Sequence, residues 1–170
     1  MPVDADKRIQ QPITLSVLMP VYNERFLAEA AIRRVLAFRH PMVRRVELIV
    51  VDDCSADGTR QILRDLAAQH PELRLFEQKR NQGKGAAIRR AIREATGELS
   101  VIQDADLEYD PEDWALLLRP FLEQNADVVF GSRFLAADYT RVLSYWHTLG
   151  NRALTLLSNV ATDLNLTDME

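Results

Sequence analysis

The chain has 170 residues, enough for one domain with a real core, and its 47% hydrophobic and 27% charged residues are ordinary for a soluble globular protein. A net charge of −4 argues against a nucleic-acid partner held by bulk electrostatics, although basic residues pair up at Arg33-Arg34, Arg44-Arg45, Lys79-Arg80 and Arg89-Arg90. The single cysteine, Cys54, excludes an internal disulfide framework and fits a reducing compartment, and no run of about 18 apolar residues offers a membrane span.

Residues 1–12 are polar, carry Pro2 and Pro12, and read as a flexible leader; residues 13–170 read as one domain. The first strand is expected over 13–19, before Pro20. A helix follows over 25–38, with Phe26, Leu27, Ala30, Val35 and Leu36 at near-helical spacing. Residues 46–51 are apolar except for Glu47, as in a strand buried on both faces. Asp57-Gly58 turns into a helix to about residue 69, and 73–76 make a short strand. Residues 84–96 read as a helix with Ala87, Ile88, Ala91, Ile92 and Ala95 inward, stopped by Gly97. A strand over 99–103, a helix over 111–124 and a strand over 127–130 come next. The last helix, 141–162, repeats Val142, Trp146, Leu149, Ala153, Leu156 and Val160 as an apolar seam suited to packing on the domain or to a membrane surface. Strands alternating with helices predict an α/β fold with a mostly parallel sheet and helices on both faces.

In such sheets ligands bind where loops leave the carboxyl ends of the strands. Four of those loops are short and polar. After the fourth strand, Asp104 and Asp106 stand two residues apart, so an extended chain aims both to one side. Neighbouring carboxylates repel unless a cation sits between them, which points to Mg²⁺ or Mn²⁺ clamping a diphosphate. The competing reading is that Asp106 or Asp110 caps the helix starting near Pro111. After the first strand, Tyr22 and Glu24 offer an aromatic face and an acceptor for a base and a ribose; alternatively Asn23 caps the next helix and Glu24 favours its positive end. Asp52 and Asp53 leave the second strand on opposite faces, so only one readily enters the cleft. Asn81-Gln82-Gly83-Lys84-Gly85 opens a helix with glycines and a lysine that suit an anion, without the spacing of a P-loop. Arg133, just past Gly131, presents a fork of donors fit for phosphate or for a site carboxylate.

As an ordered set, Pro20-Val21-Tyr22-Asn23-Glu24, Val51-Asp52-Asp53-Cys54-Ser55-Ala56-Asp57-Gly58-Thr59, Asn81-Gln82-Gly83-Lys84-Gly85, Asp104-Ala105-Asp106 and Gly131-Ser132-Arg133 resemble the loops of family-2 glycosyltransferases of the GT-A fold. Asp104-Ala105-Asp106-Leu107-Glu108-Tyr109-Asp110-Pro111, Gly150-Asn151-Arg152 and Leu166-Thr167-Asp168-Met169-Glu170 look like the dolichyl- and polyprenyl-phosphate subgroup. The resemblance implies a Rossmann-like GT-A domain over 13–170 that is incomplete at its C-terminus. It implies that Pro20, Tyr22, Glu24, Val51 and Asp53 hold the donor nucleoside. Asp104, Ala105 and Asp106 would serve the metal and diphosphate, with Glu108 as a further ligand and Arg133 on a phosphate.

The implied reaction is metal-dependent, inverting transfer of a hexose from GDP-mannose or UDP-glucose to a polyprenyl or dolichyl phosphate. It would take place in the cytoplasm at the inner face of the membrane. A family-2 transferase acting on a sugar hydroxyl, and a non-catalytic nucleotide- or protein-binding module, are the alternatives.

Overall fold

The computed structural model describes residues 9, 11–131, 145–163, 166 and 167, with the side chains of 145–148 outside that description. The chain divides into two compact units, residues 1–118 and 119–170, and the division falls inside a helix. In the first unit, β1 (Ile13–Val21), β2 (Val43–Asp52), β3 (Leu73–Glu77) and β4 (Leu99–Ile102) form one sheet in the order β3-β2-β1-β4, parallel throughout.

Parallel neighbours cannot be joined by a hairpin, and the crossovers are α1 (Ala28–Ala37), α2 (Thr59–Gln69) and α3 (Lys84–Glu94). The chain steps outward from β1 to β3, then returns past β1 to β4. Right-handed crossovers therefore put α1 and α2 on one face and α3 on the other. Burial on both faces explains the near-continuous apolar strands. Leu18, Ile49 and Val51 meet Ala87 and Ala91 of α3, with Phe76 and Ala95 against the cluster. Val17, Leu48 and Val50 alternate to the opposite face, where Ile32, Val35, Leu63 and Leu66 are buried. The order reverses between β1 and β4, and a crevice opens at the carboxyl ends of strands flanking such a switch point.

Several local expectations change. Helix α1 begins at Ala28, because the N–H groups of Leu27 and Ala28 both turn back onto the Glu24 carbonyl; Phe26 is left 87% exposed. Asn23 does not cap it. With φ at 56°, Asn23 accepts from the Ala56 N–H and donates its own N–H to Ser55 Oγ, stapling the first two strand-end loops together. In α3, Ile92 is exposed rather than inward. Pro111–Asp113 form a 3-10 turn capped by Asp110, and α4 (Trp114–Gln124) follows.

The second unit contains the end of α4 and α5 (Tyr145–Thr162). Residues 127–130 form no strand; an extended apolar segment becomes one only by ladder hydrogen bonds, and Val128 and Phe130 stay exposed. The seam on α5 is likewise exposed at Leu149, Leu156 and Val160, while Asn151 and Thr155 are buried. Periodicity identifies residues that gain from cover without supplying the cover. Residues 141–144, and so Val142, lie outside the described residues, as does the side chain of Trp146. Asn159 closes the end of α5 by bonding both the N–H and the carbonyl of Leu166.

Candidate active site

Pro20 near the end of β1, Tyr22 and Glu24 beyond it, Asp53 after β2, Lys84 at the start of α3, and Asp104, Ala105 and Asp106 after β4 all line one cavity of about 300 Å³. It opens at the switch point between β1 and β4. A larger hollow of about 410 Å³ lies along β3 and α3, and Val51 borders that one, its side chain fully buried. Volume does not single out a site; convergent polar groups do.

The alternation after β2 sorts its two aspartates. Asp52 turns to the α2 face, where its carboxylate accepts from Arg60 Nε at 2.8 Å and the Ser55 N–H at 3.1 Å. Asp53 turns to the cleft and is almost fully buried. Its Oδ1 accepts from Gln78 Nε2 and the Gln82 N–H, each at 2.8 Å, and its Oδ2 from the Gly83 N–H at 2.6 Å. Much of its acceptor capacity thus anchors the loop that leads into α3. Gly83 carries φ of 85°, which a Cβ would strain, and no side chain caps the helix there. The first turn of α3 carries no acidic residue, and the anions at its positive end are Asp53, on the Gly83 N–H, and Asp104, on Lys84.

Lys84 Nζ lies 2.7 Å from Asp104 Oδ2. Asp106 turns inward locally, its Oδ1 accepting from the Glu108 N–H at 3.0 Å, so the cap on the following helix belongs to Asp110 alone. Burial lifts the Glu24 carboxyl above its ordinary value, and repulsion from Asp106, Asp57 and Asp104 adds to it. Negative charge is therefore concentrated where only one lysine lines the cavity. Glu108 is exposed and does not line it, and Arg133 lies outside the described residues.

Among the described residues, no three His, Cys, Asp or Glu side chains converge to hold a metal ion by themselves. Magnesium and manganese sites commonly use one or two carboxylates and complete the shell with substrate phosphates and water. Asp104 and Asp106 on the cavity wall, with Glu24 raised by burial and then by repulsion from neighbouring carboxylates, fit such an ion.

Residue patterns alone missed three supports of this site: Gln78, the Asn23–Ala56 staple, and Gln103. Gln103 is 2% exposed, and a polar residue at the end of an apolar strand was the available signal. The partners of Gln78 and Asn23 are distant in sequence and left no such trace.

A family model described as glycosyl transferase family 2 matches residues 16–162. The chain belongs to that family. This family-2 glycosyltransferase is 26% identical over 147 residues to a dolichol-phosphate mannosyltransferase of Pyrococcus furiosus, covering 86% of the present chain and 41% of that relative. It is 32% identical over 155 residues to an undecaprenyl-phosphate 4-deoxy-4-formamido-L-arabinose transferase of Aeromonas hydrophila, covering 91% and 46%. The chain thus spans less than half the length of these curated relatives. A mannosyltransferase from Pyrobaculum calidifontis, solved with GDP-Man and Mn²⁺, superposes with a TM-score of 0.52 at 33% identity, over 66% of this chain and 33% of that one. The fold of the present family-2 domain is GT-A, with its sheet wholly parallel and helices on both faces.

Proposed function

We propose that this domain transfers a hexose from a nucleotide sugar, GDP-mannose or UDP-glucose, to a polyprenyl or dolichyl phosphate. The observation that carries the reading is the gathering of Asp104, Asp106, Glu24 and Lys84 around one cavity at the switch point of a parallel sheet. The names of the relatives support a lipid-phosphate acceptor, and the Pyrobaculum structure supports a nucleotide-sugar donor with a divalent ion.

Asp104 and Asp106 would hold Mg²⁺ or Mn²⁺, which neutralises charge on a departing nucleoside diphosphate. Tyr22, at the cavity rim, offers its ring to the base. The N-terminus of α3 and Lys84 take the diphosphate, with Arg133 as a further phosphate ligand. An acceptor phosphate monoester, with a second pKa of about 6, is already a nucleophile at neutral pH. Its oxygen forms the new bond to the anomeric carbon as the bond to the diphosphate breaks, inverting that carbon. No protein base is required. The lipid acceptors named for the relatives support a reaction at the cytoplasmic face of a membrane; no described helix is long and apolar enough to cross one.

One observation favours a second reading. Glu24, raised above its ordinary value within the cavity, is suited to act as a base toward a sugar hydroxyl. An acceptor screen separates the two: turnover with polyprenyl phosphate and none with free sugars supports the first, and the reverse supports the second. Calorimetry with GDP, UDP and Mn²⁺ tests both. Metal-dependent binding of one nucleotide is expected, with Asp106→Asn abolishing transfer while leaving the melting temperature within a few degrees. Full turnover of Asp106→Asn at saturating Mn²⁺ would refute the metal role.

A further inference from the structure

We infer that Gln103 is a positioning residue, whose side-chain amide sets the acidic loop so that Asp104 and Asp106 can share a divalent ion. The inference rests on the functional reading above.

Gln103 immediately precedes Asp104, and its N–H continues the β4 pairing by donating to the Leu18 carbonyl at 3.0 Å. The residue is therefore fixed to the sheet, with its side chain 2% exposed. Its Nε2 donates to the Asp104 carbonyl at 3.3 Å and to the Tyr109 carbonyl at 3.0 Å. One amide group thus ties both ends of the loop that carries the two carboxylates. Inside that closed loop, the Asp106 side chain bonds the Glu108 N–H, and Leu107 adopts φ of 64°. A leucine rarely takes that conformation, which persists only where its surroundings over-determine it.

A second cost falls on Gln103 itself: its Oε1 is buried with no hydrogen-bond partner among the described residues. A buried methionine or leucine would fill the same space without an orphaned acceptor. What such residues lack is the pair of N–H donors that reach two carbonyls. The orientation of the amide follows from those carbonyls, since reversing it would set oxygen against oxygen. A strained leucine and an unsatisfied amide coincide in the five residues from 103 to 107, which also hold Asp104 and Asp106. Loop closure for its own sake needs neither. Holding two mutually repelling carboxylates in a set relation does require a rigid support of this kind.

The test compares wild type with Gln103→Met, which keeps the volume and loses the donors, and with Gln103→Asn, whose shorter amide cannot span to Tyr109. Calorimetric titration with GDP and UDP, with and without Mn²⁺, is read beside electron paramagnetic resonance of bound Mn²⁺ and the melting temperature. Both variants are expected to bind Mn²⁺ in the presence of nucleotide about 10- to 100-fold more weakly. Their metal-free nucleotide affinity should stay at the wild-type value. Undiminished Mn²⁺ binding in either folded variant would overturn the inference, as would equal losses with and without Mn²⁺, the mark of a merely structural role. If wild type itself gains no nucleotide affinity from Mn²⁺, the functional reading falls first. If wild type gains and both variants gain equally, only the role of Gln103 falls.

Discussion

Lys84 shows how one side chain serves two demands. Its ammonium lies 2.7 Å from Asp104 Oδ2 with the lysine side chain 60% exposed, so the ion pair is screened by water and worth at most about 1 kcal/mol. On the proposed reading, Asp104 would be a metal ligand neutralised but not committed by this contact, and Lys84 would be free to turn toward donor phosphate once an ion were held there. Lys84→Met is therefore expected to act in opposite directions on two ligands. Mn²⁺ affinity without nucleotide should rise by no more than about fivefold, while nucleotide affinity with Mn²⁺ should fall by about tenfold. Calorimetry on the two titrations reads both signs, and a fall in both would show that Lys84 does not compete with the ion. Val51 and Glu108 do not line the cavity, but at this scale most of the residues that do were legible, because short polar loops after apolar strands are a local pattern. Their contacts were not. That Asp53 spends its carboxylate on Gln78, Gln82 and Gly83 depends on a loop 25 to 30 residues away.

Among the elements, the junction of α3 with β4 sets a glycine directly against β1. Helix α3 ends at Glu94, short of the expected 96, with Ala95 already extended, so Gly97 does not stop it, and the glycine's own conformation is not what the position requires. A Cβ there would stand 2.6 Å from the Thr14 carbonyl oxygen and 2.7 Å from Ser16 Oγ. Both atoms belong to β1, and the carbonyl cannot swing away as a flexible side chain would. Gly97→Ala should cost about 1 to 3 kcal/mol, measured as a lower urea midpoint with unchanged slope. Helix α1 teaches the converse. Its apolar spacing was read correctly at Val35, yet its start was displaced to Ala28 because Asn23 and Glu24 were recruited by neighbouring loops and turns. The segment 127–130 carried strand chemistry and no ladder, since a strand is a property of two segments.

In the first unit taken whole, β1, β2, β3 and the end of α3 meet at one buried charge, Glu47. Its carboxylate accepts from Ser16 Oγ at 2.7 Å, Arg74 Nη1 at 2.7 Å, the Thr96 N–H at 2.9 Å and Thr96 Oγ1 at 3.0 Å. Burial alone would raise this carboxyl; the hydrogen bonds from Ser16, Thr96 and Arg74 outweigh it and hold the group at about 2. A depressed carboxyl stabilises the fold when ionised. The contribution is full above the ordinary value of 4.5 and is lost as pH falls toward 2. It amounts to about 3 kcal/mol. Glu47→Gln should therefore lower stability at neutral pH by about that amount and flatten the loss of stability between those two pH values, as followed by acid and urea unfolding. An unchanged acid profile would show that Glu47 is not the titrating node. The raised carboxyl of Glu24 works in the opposite sense, costing stability when ionised, and it lies at the end of the sheet where the cavity opens.

The sequence by itself determined the alternation of strands and helices, the parallel sheet and the family, because burial on both faces and short polar strand ends are written in neighbouring residues. Tertiary structure alone decided that Glu47 is a core anion and that Leu149, Leu156 and Val160 of the α5 seam stay exposed. The anion depends on atoms that the crossovers bring together from distant parts of the chain, and hydrogen-bond partners at that separation leave no periodic trace in the residues between them.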